Sequence, residues 1–385
     1  MRPLVAPGGP LSDAEAARYA RHLTLDGFGP LAQRRLRAAR VLVVGAGGLG
    51  SPILSYLGAA GVGRLTVVDD DVVESSNLQR QVIHREADLG RPKAASAAAA
   101  VRRLDPGARV TAVVDRLGPD NAEELFAGHD LVLDGADNFA TRYLCADAGE
   151  LTGTPVVWGT ISRFTGQVSV FWPGEGPLLR DLYPEIPDPD SVPSCAAGGV
   201  LGALVGLVGC TMAVEAVKVI TGVGEPAVGR LLLIDALAAR TRELAFGADP
   251  DRAPVTGLRE VAAACAGRPA EPDPVPGVAA GALAAELAAG AAPTLVDVRD
   301  PEEIAADPLP GATAAPLRGI LAGGWSAVAE CAGPAPDLVL VCRSGARAAR
   351  ALRALRADPA TPAGARLRTL EGGALAWAAG PGAAG

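Results

Sequence analysis

The hydrophobic pattern of this chain changes period repeatedly, and each change marks an element. Arg40–Val44 is a short apolar run that ends on glycine, which predicts a buried strand. After Gly45-Ala46-Gly47-Gly48-Leu49-Gly50, Pro52 opens a stretch in which Leu49, Ile53 and Leu57 share one helical face. A second apolar run, Leu65–Val68, ends at Asp69. Strand, glycine turn, helix and strand form a right-handed βαβ unit, the start of a doubly wound α/β sheet. Runs at Val110–Val114, Leu131–Leu133, Pro155–Trp158, Gln167–Phe171 and Leu231–Ile234 read as further strands and carry the sheet to about residue 246.

From Gly247 to Gly277 the periodicity stops and Pro250, Pro254, Pro269, Pro272, Pro274 and Pro276 accumulate, the composition of a linker. Beyond it the pattern restarts. A helix is expected near Ala280–Ala289, strands at Thr294–Val298 and Leu338–Val341, and helices at Ala346–Arg356 and Ala374–Ala379. The expected organisation is a doubly wound domain over 1–247, a linker over 248–279 and a second, smaller α/β domain over 280–385.

Composition narrows the class. With 49% apolar and only 20% charged residues, the 385-residue chain can bury more than one core. A formal charge of −8 argues against a nucleic-acid partner, whose backbone requires a basic face. Met1–Pro10 lacks the features of a secretory signal, so a cytoplasmic location is expected. Ala196–Val214 is nineteen residues without a charge, near the length that spans a bilayer. The spacing of Val200, Leu204, Leu207 and Val208, with Glu215 and Lys218 following, favours a helix in a protein core over a membrane span. Cysteines at 145, 195, 210, 265, 331 and 342 form no CxxC pair, hence neither a disulfide framework nor a zinc signature.

The glycines at 45, 47, 48 and 50 suit a tight turn whose N–H groups hold phosphate at a helix start. Taken alone this fits a nicotinamide enzyme, with Asp69 on the ribose, as well as an ATP enzyme. The continuation separates them: Asp69-Asp70-Asp71, Ser76-Asn77-Leu78-Gln79-Arg80-Gln81, Arg91-Pro92-Lys93 and Asp134-Gly135-Ala136-Asp137-Asn138. Hydride transfer has no use for such a set, whereas adenylation needs cations on a triphosphate and carboxylates for Mg²⁺. Singly, each could be a solvated charge or a cap.

These strings, in this order, make residues 18–246 resemble the MoeB/ThiF adenylyltransferases, relatives of the ubiquitin-activating enzymes. The resemblance implies ATP cradled at Gly48, ribose held by Asp69, phosphates met by Asn77, Arg80 and Lys93, and Mg²⁺ on Asp137 with Asn138 beside the adenine. It also implies a homodimer in which Arg21 reaches the partner's phosphates. Cys195, in Val192-Pro193-Ser194-Cys195-Ala196-Ala197-Gly198-Gly199, matches the family cysteine that attacks the acyl-adenylate or pairs with a sulfur intermediate. A thiol at a helix N-terminus is a better nucleophile, though a cysteine packed at a turn is equally a small inert residue. One departure stands out. Relatives carry two CxxC pairs for structural zinc, where this chain reads Leu178-Leu179-Arg180-Asp181 and Arg252-Ala253-Pro254-Val255. No structural zinc is therefore expected, and packing and prolines are expected to hold those segments.

The second domain carries Leu295-Val296-Asp297-Val298-Arg299, Leu309-Pro310-Gly311-Ala312, Cys342-Arg343-Ser344-Gly345-Ala346-Arg347 and Leu370-Glu371-Gly372-Gly373 before Trp377. A cysteine directly after a buried strand, in a loop entering a helix, points its sulfur at backbone N–H groups. Arg343 and Arg347 add positive charge, which suits a persulfide anion. A phosphatase loop is an alternative, but it is one residue longer. Residues 280 to 380 resemble the rhodanese sulfurtransferases.

Together the resemblances imply ATP-dependent adenylation of the C-terminal Gly-Gly carboxylate of a ubiquitin-like sulfur carrier, then sulfur transfer from Cys342 to give a thiocarboxylate. The sulfur would come from an upstream donor such as a cysteine desulfurase or thiosulfate. Two other readings stay open: an NAD-dependent oxidoreductase, which would bind NAD without pyrophosphate exchange, and a non-catalytic carrier-binding scaffold.

Overall fold

The computed structural model describes residues 2–186, 199–258, 261, 275–333, 336–343 and 345–378, the side chain of Ala346 excepted. The chain divides into two compact units, Met1–Arg268 and Pro269–Gly385.

The first unit is built on β1 (Arg40–Val44), whose residues Val41 to Val44 are all buried, as a strand covered on both faces requires. It runs parallel between β2 (Arg64–Val68) and β4 (Leu131–Asp134), with Val41 opposite Leu65 on one side and Leu131 on the other. β3 (Arg109–Val113) lies outside β2 and β5 (Val156–Ser162) outside β4, both parallel. From β5 the sheet turns antiparallel through β6 (Thr165–Phe171), β7 (Arg230–Asp235) and β8 (Arg240–Ala245). The order β3-β2-β1-β4-β5-β6-β7-β8 is that of a Rossmann-like half sheet extended by a meander.

Alternation along β1 divides the core in two. Val41 and Val43 pack with Ile53, Leu57, Val205, Val208 and Met212, whereas Leu42 and Val44 pack with Phe126, Tyr143 and Leu144. The first set comes from Gly50–Ala59 and Gly202–Thr221, the second from Ala122–Ala127 and Phe139–Thr152. Numbered in chain order, the α-helices among the described residues of this unit are α1 (Asp13–Arg18), α2 (Ala20–Leu23), α3 (Gly29–Ala38), α4 (Gly50–Ala59), α5 (Lys93–Leu104), α6 (Ala122–Ala127), α7 (Phe139–Thr152), α8 (Leu179–Leu182) and α9 (Gly202–Thr221).

Among the described residues, α9 is the one helix long and apolar enough to cross a membrane, by length and composition only. Its Leu204, Val205, Val208, Met212, Val219 and Ile220 are buried in the unit's core. Burying each of these large side chains contributes about 1.5–3 kcal/mol, which suits a core helix.

The second unit is an all-parallel sheet in the order β11-β10-β12-β13-β9, formed by β9 (Gly277–Val278), β10 (Thr294–Asp297), β11 (Ala312–Ala314), β12 (Asp337–Val341) and β13 (Arg366–Leu370). Its central strand β12 buries Leu338 to Val341 and feeds Cys342 into the loop before the helix Ala346–Ala357. Strands β8, β9, β11 and β13, helices α1 to α3 and α5 to α8, and the helices Pro301–Ala306, Leu317–Gly323 and Ala329–Ala332 are additions to the elements read from the pattern.

Candidate functional site

The first site lies where β1 and β4 end side by side. β1 crosses over to β2 on one side, while the chain returns to β4 on the other, so a crevice opens between their following loops. Only glycine fits there. Gly45 has a φ of 87° and sits where a Cβ would press on the Gly135 carbonyl at 3.1 Å. At Gly50 a Cβ would lie 2.0 Å from the Gly45 carbonyl oxygen. Backbone N–H groups at the start of α4 therefore face the crevice without side chains in the way.

Two side chains brace this turn. Asp69, at the end of β2, accepts the Ala46 N–H at 2.7 Å and the Asp71 N–H at 2.9 Å. Burial pushes its carboxyl up, and those N–H groups and Lys93 oppose the shift. His84 bonds the Ala46 carbonyl through Nε2 at 2.9 Å and Ser96 Oγ through Nδ1 at 2.9 Å. Burial holds His84 below the ordinary histidine value, so it serves as a neutral brace.

The Ser76–Gln81 segment faces the same turn. A Cβ on Gly47 would be 3.5 Å from Gln81 Nε2, and one on Gly48 would be 3.8 Å from Arg80 Cγ and 2.7 Å from Val205 of α9. Asn77 is buried, its Oδ1 accepting the Glu74 N–H at 3.2 Å, and Arg80 donates from Nη1 to the Ser76 carbonyl at 3.1 Å. Ser76 and Gln79 are exposed and Leu78 is half-buried. Lys93, buried at the start of α5, places Nζ 2.8 Å from the exposed Asp71. Asp137 and Asn138 are exposed on the turn after β4, and the Asn138 side chain caps α7 by accepting the Thr141 N–H at 2.9 Å. Arg21 is exposed on α2 and makes no hydrogen bond or ion pair to these groups among the described residues. Cys195 lies outside the described residues, and the described helix of that region begins at Gly202.

Behind the turn Asp134, the first residue of the Asp134–Asn138 string, is buried with Arg142, which no motif announced. Asp134 accepts the Ala136 N–H at 2.9 Å, and its other oxygen has no hydrogen-bond partner. Arg142 donates to the carbonyls of Ala136 (2.8 Å) and Gly159 (3.0 Å), tying the turn to β5. The signals in sequence were slight: Arg142 lies one turn beyond Asn138, and His84 comes three positions after the end of the Ser76–Gln81 string. Burial pushes the Asp134 carboxyl up to about 6, with Arg142 opposing. A carboxyl raised above its ordinary 3.8 binds its proton more tightly in the folded chain, so its contribution to stability falls as pH rises between those values. Urea unfolding of wild type and Asp134→Asn at pH 4 and pH 7 should show the difference between them shifting toward the variant by about 2 kcal/mol over that range. Parallel pH profiles would contradict this.

The second site is the loop after β12. Cys342 is buried, and its Sγ accepts the N–H of Gly345 at 3.1 Å and of Ala348 at 3.4 Å. Gly345 has a φ of 103°, which turns the loop so that these N–H groups point at the sulfur. Arg343 is exposed at the rim. Arg347 interacts electrostatically with Cys342, as its positive charge leads one to expect, and carboxylates hold it in place. Its guanidinium is held by both oxygens of Glu303, at 2.5 and 2.9 Å, with Asp300 at 3.5 Å. Its charge is thus matched by carboxylates, and the sulfur's nearest donors are neutral N–H groups. Asp297 and Arg299 form a buried bidentate pair that also anchors the Asp307 carbonyl. Ser344 lies outside the described residues.

The segments expected to be held by packing and prolines are held by ion pairs as well. Arg252 donates to Asp181 and to Glu150, and Arg180 to Asp147. The side chains at positions 178, 181, 252 and 255 do not suit zinc, because two are aliphatic, one is a cation and only Asp181 carries a ligand atom.

Comparison with known proteins gives the same division. Residues 19–254 match the ThiF family and residues 279–380 the rhodanese-like domain. A probable adenylyltransferase/sulfurtransferase MoeZ of Mycobacterium tuberculosis is 46% identical, over 98% of this chain and 96% of that protein. The SAMP-activating enzyme E1 of Haloferax volcanii is 50% identical over 64% of this chain and 91% of its own. The sulfur carrier protein adenylyltransferase of Thermus thermophilus is 51% identical over 63% and 91%. Among solved structures, Escherichia coli MccB superposes on 62% of this chain and 72% of its own with a TM-score of 0.56 at 16% identity, a likeness of fold alone.

Proposed function

Since the chain belongs to the ThiF family and carries a rhodanese-like domain behind it, we propose that it is an adenylyltransferase and sulfurtransferase whose substrate is a sulfur-carrier protein ending in Gly-Gly. The observation that carries this reading is the meeting of the glycine turn with Arg80 and Gln81, beside Asp69, Asp71 and Lys93. The turn's N–H groups and these cations suit a triphosphate, and the Asp69 carboxylate suits a ribose. Mg²⁺, if carried on Asp137, would neutralise charge on the departing pyrophosphate.

The carrier's carboxylate attacks the α-phosphorus of ATP, forming a C–O–P bond and releasing pyrophosphate. The terminal sulfur of a persulfide on Cys342 then attacks the activated carbonyl and expels AMP, leaving the carrier joined to Cys342 through an acyl disulfide. A thiol attacks Cys342 Sγ of that disulfide, the carrier leaves as thiocarboxylate, and an external dithiol reduces the new disulfide. We assign Cys195 to that attack. The upstream donor, a cysteine desulfurase or thiosulfate, reloads Cys342. Incubation of the full chain with ATP, Mg²⁺, a Gly-Gly-ended carrier, a dithiol and thiosulfate should give carrier thiocarboxylate by intact mass. Stable carrier binding without pyrophosphate exchange would favour a scaffold instead.

The same reading includes a homodimer. On α9, Leu207 and Val214 are 50% and 57% exposed on one face, next to Cys210 and Thr211, while Tyr56 of α4 is 61% exposed. A second copy would cover this stripe, and Arg21 would serve the partner's phosphates. Sedimentation should give a dimer for wild type and a monomer for Leu207→Asp/Val214→Asp, and a wild-type monomer would contradict it.

A further inference from the structure

Helix α7 carries Tyr143, Asp147 and Glu150 at successive turns of one face, and each holds a distant segment. Tyr143 Oη donates to the Tyr183 carbonyl at 3.0 Å. Asp147, 2% exposed, accepts from Nε and Nη2 of Arg180, at 2.7 and 2.8 Å. Glu150 accepts from Arg252 Nη1 with both oxygens, at 3.1 and 3.0 Å, and from the Val255 N–H at 3.1 Å. Arg252 also donates from Nε to Asp181 Oδ1 at 2.8 Å, closing a loop of 71 residues. Asp181 accepts further N–H groups from Leu178 at 2.6 Å and Asp249 at 3.1 Å. Side-chain exposures of 3% for Asp181, 13% for Glu150 and 18% for Arg252 place the network out of bulk water.

Leu178, Asp181, Arg252 and Val255 thus all enter one network, two through side chains and two through N–H groups. They are the four positions at which the resemblance to the MoeB/ThiF enzymes would set zinc-binding cysteines. We propose that an Asp181–Arg252–Glu150 ionic clasp takes the place of a metal clasp in this chain, and that the adenylation unit folds without zinc. Zinc requires four convergent soft ligands, whereas this site offers one carboxylate whose oxygens already have donors. A guanidinium with a carboxylate on two sides does the same mechanical work by charge and directed hydrogen bonds. Its ends are also suitably placed: α7 begins at the Asn138 cap beside Asp137 and reaches Glu150 near its other end.

Removing one partner of a buried pair leaves the other charge desolvated and unmatched, so the double variant should lose less than the sum of the two single substitutions. The test is a double-mutant cycle on the full chain with Arg252→Met and Asp181→Asn, read by denaturant unfolding with metal analysis alongside. Each single variant should raise the unfolding constant tenfold or more, and the double variant no more than Arg252→Met alone. Wild type should carry far less than one zinc per chain and keep its melting temperature in a zinc chelator. Should the singles fail to fold, the variant with cysteine at 178, 181, 252 and 255 provides a second measurement. It should bind one Co²⁺ with tetrathiolate absorption and become chelator-sensitive. Independent effects in the cycle, stoichiometric zinc in a chelator-sensitive wild type, or no Co²⁺ binding by the cysteine variant would each overturn the proposal.

Discussion

Cys342→Ala should abolish thiocarboxylate formation, by at least about a thousandfold, while ATP–pyrophosphate exchange continues at the wild-type rate. The transferred sulfur needs an atom to ride on and a site that accepts negative charge. Cys342 supplies both, because its Sγ already receives the N–H groups of Gly345 and Ala348. Other described cysteines lack such a setting. Cys145 is buried in the hydrophobic core with Phe126 and Leu144, and burial pushes the thiols of Cys210 and Cys331 up, away from the thiolate. Among the described residues no other cysteine is set to replace it. Undiminished product from the alanine variant, measured by intact mass of the carrier, would remove the second unit from the reaction.

Gly50→Ala should have the complementary effect, lowering pyrophosphate exchange by about a hundredfold or more while Cys342 still accepts sulfur from thiosulfate. Two effects oppose each other at this position. Helix propensity favours alanine by about 1 kcal/mol at an interior site. Sterics run the other way, since the new Cβ would stand 2.0 Å from the Gly45 oxygen and 3.0 Å from its carbon, both backbone atoms that cannot rotate aside. The turn must open, and its N–H groups lose their aim. A thermal melt of the variant separates this from global unfolding. Exchange at the wild-type rate would mean that the turn does not bind the phosphates.

Much of the fold could be read along the chain because the parallel strands are buried on both faces. Arg40–Val44 and Leu131–Asp134 are nearly continuous in apolar residues and flanked by polar or glycine positions. β8 carries no such signal. All six of its residues, Arg240–Ala245, are exposed, and its arginines suit an open sheet edge better than a core. β13 is obscured for another reason: Arg368 is buried because Glu286 and Asp337 meet it from remote parts of the chain. The glycine turn and the Ser76–Gln81 string are local and stand out in sequence. Pairings across distance do not. Glu303 captures Arg347 from 44 positions away, and Arg252 finds Asp181 across 71, so neither could be inferred from spacing.

The Arg252 bridge has a consequence for where such an enzyme can work. Thiolate clasps lose their metal when the sulfur is oxidised or when zinc is scarce. A guanidinium between two carboxylates has nothing to oxidise and draws on no metal supply. A chain closed in this way would hold these segments together whatever the zinc supply, and no thiol at the clasp would be open to oxidation.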